Sequence, residues 1–307
     1  MSIISRKVFQ MMFGRRDKNS QKNKPGSRSV WLIGPDYERY LRSKREEQPV
    51  FRQYPFEEWS VTGADGLRLF ARFCRSGDSE KTAVLIHGHQ SDGIRGYCDI
   101  GQRYLRKGWN ILIPDNRACG KSCGDWTTFG ILESRDTLLW LAELNRRYPG
   151  QAVILHGTSL GGATVCTMSG MKLPDNIYAI VSDCAFSDMK AELAHMLRAY
   201  ARIPCPLLLS GLEREFRRNT GYLFQDSTVL KSVANATVPM LFIHGKEDRY
   251  VPVAHCDALY SSCSSPVRMR LIVDGAGHSA SALLNPDLYN KTLFDFLDRC
   301  LPGIQQK

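Results

Sequence analysis

The 307 residues carry a formal charge of +10, with 43% hydrophobic and 23% charged side chains. This composition is typical of a soluble globular protein, and no apolar run approaches the roughly 18 residues that a membrane span needs. We therefore expect one large domain or two small ones rather than a transmembrane protein.

The basic charge is concentrated at the N-terminus. Residues 1–28 hold eight Lys or Arg and a single acid, Asp17, so this segment carries +7 and the rest of the chain only +3. We interpret it as a disordered basic tail in front of a domain formed by residues 29–307. Its mixture of cations with Ile, Val, Phe and Met also suits peripheral contact with an anionic membrane. Nucleic acid is not an expected partner, because no recognition module accompanies the charge.

The cysteines indicate a reducing compartment. All ten are scattered along the chain, and no apolar export signal precedes them. This pattern predicts mostly free thiols in a cytoplasmic protein. Two cysteines lie close together only in "CGKSC" (119–123), and no second Cys or His pair follows, so we do not expect a metal site there.

The order of predicted elements favours a mostly parallel sheet. A polar helix, "YERYLRSKREEQ", precedes a hairpin, "FEEWSVTGADGLRLFARFC", with a Gly-Ala-Asp-Gly turn. Beyond it, helices alternate with the apolar strands "TAVLIH", "WNILIP", "AVILHG", "IYAIVSD", "VPMLFIHG" and "VRMRLIV". Such alternation is typical of an α/β fold in which helices cover both faces of the sheet.

One interval breaks this alternation. More than fifty residues separate the strand ending at Asp183 from the strand near Val238, and a structureless loop of that length would be unusual. We expect residues 184–237 to form a helical cap, interrupted by prolines, over one end of the sheet. Its leucines suit either an apolar acyl pocket or packing between cap and sheet: Leu207, Leu208, Leu209 and Leu212.

The stretch "LHGTSLGGAT" (155–164) holds the first candidate catalytic residue. Ser159 lies between Gly157 and Gly161, after a buried strand and before a helix, which is the required context of a G-x-S-x-G turn. Small residues on either side let the chain turn sharply and project the Ser159 hydroxyl away from the backbone. The alternative is a serine that caps a helix after a glycine turn.

A nucleophilic serine needs a base, and the base needs an orienting acid. His278 in "IVDGAGHSA" and Asp248 in "FIHGKEDRYVP" follow later strands, so both lie at the strand ends that carry ligands in open α/β sheets. Glu247 and Asp183 compete with Asp248 for the role of the acid.

An oxyanion needs hydrogen-bond donors, and two backbone N–H groups are candidates. We expect the first from Leu160, directly after the serine, and the second from His89 in "LIHGHQSDG", with Gln90 as the alternative. His87 and His89 also invite interpretation as metal ligands, but no carboxylate pair with ligand spacing accompanies them, and we expect no metal.

These motifs together resemble those of the α/β-hydrolases over residues 55–300. "LIHGHQSD", "IPDNRACGKSCGD", "GTSLGGATV" and "FIHGKEDRYVP" are similar, in the family's order, to its oxyanion, D-x-R-G-x-G-x-S, nucleophile and acid motifs. More narrowly, the chain resembles bacterial esterase-, lipase- or aminopeptidase-like serine hydrolases with a helical cap. It departs from the pattern at Ala118, where a glycine is usual, and at Cys119, where a histidine is common. Close relatives often have an N-terminal membrane helix, and this tail is too polar to be one.

The resemblance implies a serine hydrolase of the carboxylesterase type. It would cleave an ester or related small acyl substrate through Ser159, His278 and Asp248 and an acyl-enzyme, without a cofactor. A peptidase, a thioesterase and an acyltransferase would use the same residues. A protein of another class, a non-catalytic binding protein on a hydrolase scaffold, is the remaining alternative.

Overall fold

The computed structural model describes residues 3–15, 37–201 and 205–301. Within them, eight strands form one sheet: β1 (Glu57–Thr62), β2 (Arg68–Cys74), β3 (Lys81–Ile86), β4 (Asn110–Asp115), β5 (Ala152–Thr158), β6 (Ile177–Asp183), β7 (Met240–Gly245) and β8 (Arg268–Val273). The strand order is β1-β2-β4-β3-β5-β6-β7-β8. Strands β1 and β2 pair antiparallel, as do β2 and β4, and all other pairs are parallel.

The helices of the described residues connect and cover these strands. They are α1 (Ile3–Phe13), α2 (Tyr37–Phe51), α3 (Gly93–Tyr97), α4 (Ile100–Arg106), α5 (Ile131–Arg147), α6 (Leu160–Met168), α7 (Met189–Ala201), α8 (Cys205–Thr220), α9 (Val229–Val233), α10 (Ala254–Ser262), α11 (Ser281–Leu284) and α12 (Pro286–Cys300). A short 3₁₀ turn, Phe224–Asp226, lies between α8 and α9.

The core has two layers because successive strand side chains point to opposite faces of the sheet. In β3, Val84 and Ile86 face a layer that includes α1, α5, α6 and the helices after β6. Ala83 and Leu85 face the other layer, which includes α3, α4 and α12. The predicted α/β architecture, with helices on both faces of a mostly parallel sheet, is therefore confirmed, and so is the predicted hairpin, which forms β1 and β2.

The segment between β6 and β7 contains no strand among its described residues and folds mainly as α7 and α8. Pro206 occupies the second position of α8, where a missing N–H costs nothing, and Pro204 lies outside the described residues. Of the leucines proposed for an acyl pocket, Leu208 and Leu212 are buried in the core and Leu207 is 88% exposed.

The N-terminus differs from the predicted disordered tail. Residues 3–13 form a helix whose Phe9 and Phe13 side chains are buried in the domain core. The Phe13 ring lies 4.9 Å from the ring of Phe129 and 5.0 Å from that of Phe216. The composition predicted a tail because Lys and Arg are concentrated in this segment. Burial of the apolar face of α1 depends on residues that are distant in sequence, which composition does not reveal. Residues 16–28 lie outside the described residues.

Among the described helices, none has both the length and the apolar character needed to cross a membrane. Peripheral membrane contact through residues 1–28 and a cytoplasmic location stay predictions. In α1, the exposed side that such contact would use includes Ile3, Ile4 and Met11.

We expect Phe13→Ala to destabilise the protein by about 3–5 kcal/mol, because it leaves a cavity among buried aromatic rings. Urea unfolding measures the change. Met11→Ala is the matched control on the same helix, since Met11 is 53% exposed, and its effect is expected to stay within about 0.5 kcal/mol. Equal effects of the two substitutions would contradict the packing of α1 against the domain.

Candidate active site

Ser159 occupies the sharp turn between β5 and α6. Its backbone has φ 57° and ψ −116°, a left-handed conformation that is strained for a residue with a side chain. A Cβ at Gly157 would overlap the backbone of Gly161, and a Cβ at Gly161 would overlap the carbonyl oxygen of Ile86. The two glycines therefore let β5, α6 and the end of β3 approach closely enough to form this turn.

The structure brings Ser159, His278 and Asp248 into one hydrogen-bonded chain. The Ser159 Oγ lies 2.9 Å from Nε2 of His278, and Nδ1 of His278 lies 2.7 Å from Oδ2 of Asp248. All three residues are at least 92% buried. Because the carboxylate can only accept, Nδ1 of His278 is the donor, which leaves Nε2 free to accept the hydroxyl proton of Ser159.

Asp248 is held in place by several further donors. Its Oδ1 accepts hydrogen bonds from the backbone N–H groups of Tyr250 (2.9 Å) and Val251 (2.8 Å). Nε2 of His244 lies 3.3 Å from Oδ2 of Asp248, and the same nitrogen donates to the Val251 carbonyl oxygen at 2.8 Å. The carboxylate that faces His278 therefore has a fixed orientation.

The two competing acids lie elsewhere. Glu247 is exposed, next to Asp248 in sequence. Asp183 ends β6 and accepts a hydrogen bond from the Tyr289 hydroxyl at 2.8 Å, rather than one from His278. Burial raises the pKa of Asp183 to about 6.

The charges of His278 and Asp248 stabilise each other. Burial alone would lower the pKa of His278, but the Asp248 carboxylate outweighs it and raises that pKa well above the usual histidine value. Burial would raise the pKa of Asp248, but His278 and His244 lower it to about 2. The acid therefore stays ionised across the neutral range, and the imidazole is the group that titrates.

The backbone of the loop after β3 lies against Ser159. A Cβ at Gly88 would lie 3.3 Å from the Ser159 Cβ, a contact tight enough to force the two segments slightly apart. The Leu160 N–H belongs to the first turn of α6, where N–H groups have no acceptor within the helix. Helix α1 supports the loop, because Nε2 of His89 donates to the Met12 carbonyl oxygen at 2.6 Å and Nε2 of Gln90 to that of Met11 at 2.8 Å.

The His87 side chain holds this loop in place through two hydrogen bonds. Its Nε2 accepts the backbone N–H of Asn116 at 2.9 Å, so its Nδ1 carries the proton that it donates to the Gly88 carbonyl oxygen at 2.8 Å. Both ring nitrogens are thus occupied by protein hydrogen bonds, which does not favour the alternative in which His87 and His89 hold a metal.

The loop after β4 contains the two departures from the family pattern. Ala118 takes the left-handed φ of 59° that a glycine adopts without strain, so the loop keeps its path despite the methyl group. Cys119 is buried, and burial raises the pKa of its thiol to about 12, which makes it a poor nucleophile. Asp115 orders the loop by accepting the backbone N–H groups of Gly93 (2.8 Å) and Lys121 (2.9 Å).

A small cavity opens beside Ser159. Its lining combines residues that follow the five strands β3 to β7: His89, Phe129, Ser159, Leu160, Phe186, Glu192, Met196, Tyr250 and Val251. None of the leucines proposed for an acyl pocket lines it. The Tyr250 ring stacks at a tilt on the His278 ring, with 4.8 Å between centroids, and so covers the imidazole.

Sequence reasoning missed several polar residues near the site. Glu192 is a buried acid on the same face of α7 as Met189 and Met196, so an acid inside an apolar helical stripe was the signal. His255 lies 3.4 Å from it. Cys184, next to Asp183 at the end of β6, gave no sequence signal.

Cys184, Asp248 and His278 have donor atoms within 4.8 Å of one another, which is close enough to hold a metal ion. Their hydrogen bonds within the protein favour a role other than metal binding. Asp248 and His278 are bonded to each other, and the Cys184 Sγ lies 3.3 Å from the Ser279 hydroxyl.

Comparison with known proteins agrees with this architecture. A family model described as "alpha/beta hydrolase fold" matches residues 84–204. The uncharacterized protein YqkD of Bacillus subtilis is 30% identical over 251 residues, which cover 81% of each chain. Alpha/beta hydrolase domain-containing protein 17C of Mus musculus is 29% identical over 287 residues, covering 91% of this chain and 77% of the relative. Among solved structures, the Pyrococcus furiosus esterase Pf2001 superposes with a TM-score of 0.68 at 22% identity, over 82% of this chain and 93% of its own.

We expect the His278 ring to titrate above pH 6.5 in Ser159→Ala protein, because the Asp248 carboxylate favours the imidazolium. Asp248→Asn should lower that pKa by about one unit or more, since it removes the paired charge. NMR of the imidazole measures both values.

Asp274→Asn is the control, because Asp274 is an exposed acid paired with Lys246. A His278 pKa at or below 6.5, or one that Asp248→Asn leaves unmoved, would contradict the pairing.

Proposed function

Because the chain belongs to the α/β-hydrolase superfamily, we propose that it is a serine hydrolase that cleaves a carboxylic ester or a related acyl substrate. The observation that carries the proposal is the chain of two short hydrogen bonds from Ser159 through His278 to Asp248. A buried serine gains nucleophilic character from such a base, and the base needs an orienting acid.

The proposed reaction starts with attack of the Ser159 Oγ on the acyl carbonyl carbon, while Nε2 of His278 takes the hydroxyl proton. The ionised Asp248 keeps the imidazole in the required tautomer and stabilises its cation. His278 then gives the proton to the leaving group as the carbon–oxygen bond breaks, which leaves an acyl group on Ser159. Water, activated by the same imidazole, releases the acid and restores the hydroxyl.

The tetrahedral intermediate carries a negative oxygen that needs preorganised donors. We assign this role to the backbone N–H groups of Leu160 and His89. The closeness of Gly88 to Ser159 supports the assignment, because it brings the loop of His89 next to the reacting oxygen. The hydrogen bond of the His89 side chain to the Met12 carbonyl oxygen holds its ring towards α1.

We further assign residues 184–237 as a cap that contributes to substrate binding. Glu192 and Met196 of α7 line the cavity beside Ser159, which supports this assignment. A peptidase, a thioesterase and an acyltransferase stay alternatives within the proposal, because they differ in the leaving group or the acyl acceptor and not in these residues.

The proposal predicts that a fluorophosphonate probe labels the wild-type protein at one site per chain and fails to label Ser159→Ala, because the probe needs an activated serine. Intact-mass spectrometry counts the label. Ser169→Ala is the control, since Ser169 is a buried serine at the other end of α6 whose hydroxyl bonds the Cys166 carbonyl oxygen.

Absence of label on the wild type would favour the non-catalytic alternative, and equal labelling of Ser159→Ala would assign the nucleophile elsewhere. If the wild type is labelled at Ser159, turnover of esters, thioesters and aminoacyl amides by the unlabelled protein then separates the esterase, thioesterase and peptidase alternatives.

A further inference from the structure

The loop that carries His278 crosses the ends of two strands before it reaches Ser159. It follows β8 and spans residues 274–280, whereas Ser159 follows β5, and β6 and β7 lie between these two strands. Neighbouring strands are about 4.8 Å apart, so the loop has to bring the imidazole across roughly 14 Å. The imidazole is therefore only as well placed as the contacts that hold this loop.

The end of β7 holds the loop on the near side of His278. A Cβ at Gly245 would lie 2.3 Å from the Ala276 carbonyl oxygen, so the missing side chain lets the loop lie directly on the strand end. The same carbonyl oxygen accepts the backbone N–H of Glu247 at 2.9 Å. Main-chain contacts thus fix the segment that precedes His278.

A pair of side chains holds the loop on the far side of His278. Cys184 is the first residue after β6, and its Sγ lies at hydrogen-bond distance, 3.3 Å, from the Ser279 hydroxyl. Cys184 is fully buried, and its backbone N–H donates to the Ile243 carbonyl oxygen of β7 at 2.8 Å, so the thiol is itself fixed to the sheet. Because Ser279 directly follows His278, this contact anchors the loop at the position next to the imidazole.

Both members of this pair have a left-handed backbone. The φ angle is 47° at Cys184 and 58° at Ser279, a conformation that is unfavourable for residues with a side chain and persists where surrounding contacts enforce it. Loss of the contact would let the backbone of Ser279 relax, and His278 would move with it.

The sulfur also lies beside the paired imidazole and carboxylate. The Cys184 Sγ, a carboxyl oxygen of Asp248 and a ring nitrogen of His278 are all within 4.8 Å of one another. A smaller side chain at position 184 would therefore leave space next to the hydrogen bond between His278 and Asp248.

We propose that Cys184 is a positioning residue, which acts through Ser279 to hold the His278 imidazole in line with Ser159. The proposal rests on the proposed function, since the imidazole matters there as the base for Ser159. It deepens that function, because it makes the end of β6 part of the structure that places the base.

The first test uses the hydrolysis of p-nitrophenyl butanoate. Cys184→Ala and Ser279→Ala should each lower kcat about tenfold and leave KM within about twofold, because a displaced imidazole slows proton transfer without changing how the ester binds. The double variant should be no slower than either single variant, since both changes break the same contact. Cys184→Ser should recover most of the lost kcat, because a hydroxyl there can also bond Ser279.

Cys166 and Ser182 provide the matched control. They are a second buried thiol–hydroxyl pair, 3.2 Å apart, which joins α6 to β6. Cys166→Ala should lower the free energy of unfolding to a similar extent as Cys184→Ala, yet keep kcat within about twofold of the wild type.

Two outcomes would overturn the proposal and make Cys184 a packing residue of the core. One is an equal loss of kcat in Cys166→Ala and Cys184→Ala, and the other is a double variant in which the two losses multiply. If Cys184→Ala does not fold, the half-buried Ser279 carries the test, and a kcat of Ser279→Ala within twofold of the wild type would overturn the proposal.

A second measurement separates this proposal from the serine mechanism. In Ser159→Ala protein, NMR follows the exchange with water of the His278 Nδ1 proton, which is bonded to Asp248. Cys184→Ala should speed this exchange about tenfold or more, because it opens space beside the bond, and Cys166→Ala should leave the rate within about twofold.

The two measurements have distinguishable failures. Faster exchange in Cys184→Ala, together with a wild type that hydrolyses no ester, would refute the hydrolase and keep the positioning role. Hydrolysis by the wild type, together with unchanged exchange in Cys184→Ala, would refute the positioning role and keep the hydrolase.

Discussion

The turn between β5 and α6 is the constraint on which the rest of the site depends. Ser159 has a strained backbone there, and the turn closes only because Gly157 and Gly161 have no side chain. The turn directs the Ser159 hydroxyl beyond the edge of the sheet, where it lies next to His278 and to the loop that contains Gly88. A larger residue at either glycine would push α6 away from β3 and separate the hydroxyl from both.

The second requirement is electrostatic. The site buries a carboxylate and two imidazoles, which would be unfavourable if each stood alone. Asp248 is instead paired with His278 and bonded to two backbone N–H groups, so its charge is stabilised where it is needed.

Much of the fold and the core of the candidate site could be predicted from the sequence. The strand and helix periods are local signals, and Ser159, Asp248 and His278 each follow a strand that could be recognised by itself. A parallel sheet then places such residues at one edge without any further information. The sequence alone does not separate Asp248 from Glu247 and Asp183, because the orienting acid is set by side-chain direction, which the structure supplies.

The parts that escaped prediction depend on contacts between distant residues. Helix α1 looked like a charged tail because its buried Phe13 is covered by Phe129 and Phe216, which lie far away in sequence. The role of the cap leucines was open between an acyl pocket and packing for a related reason. In the structure, Leu208 and Leu212 pack in the core, whereas aromatic residues from other segments line the cavity.

The central claim is that Ser159 forms a covalent acyl intermediate, and trapping that intermediate tests it most directly. Protein mixed rapidly with p-nitrophenyl butanoate and quenched in acid should carry one butanoyl group, which peptide mass spectrometry should locate on Ser159. The appearance of the group should match a burst of p-nitrophenol equal to the amount of enzyme. Turnover of the ester with no acyl group on the protein, or with the group on another residue, would contradict the account.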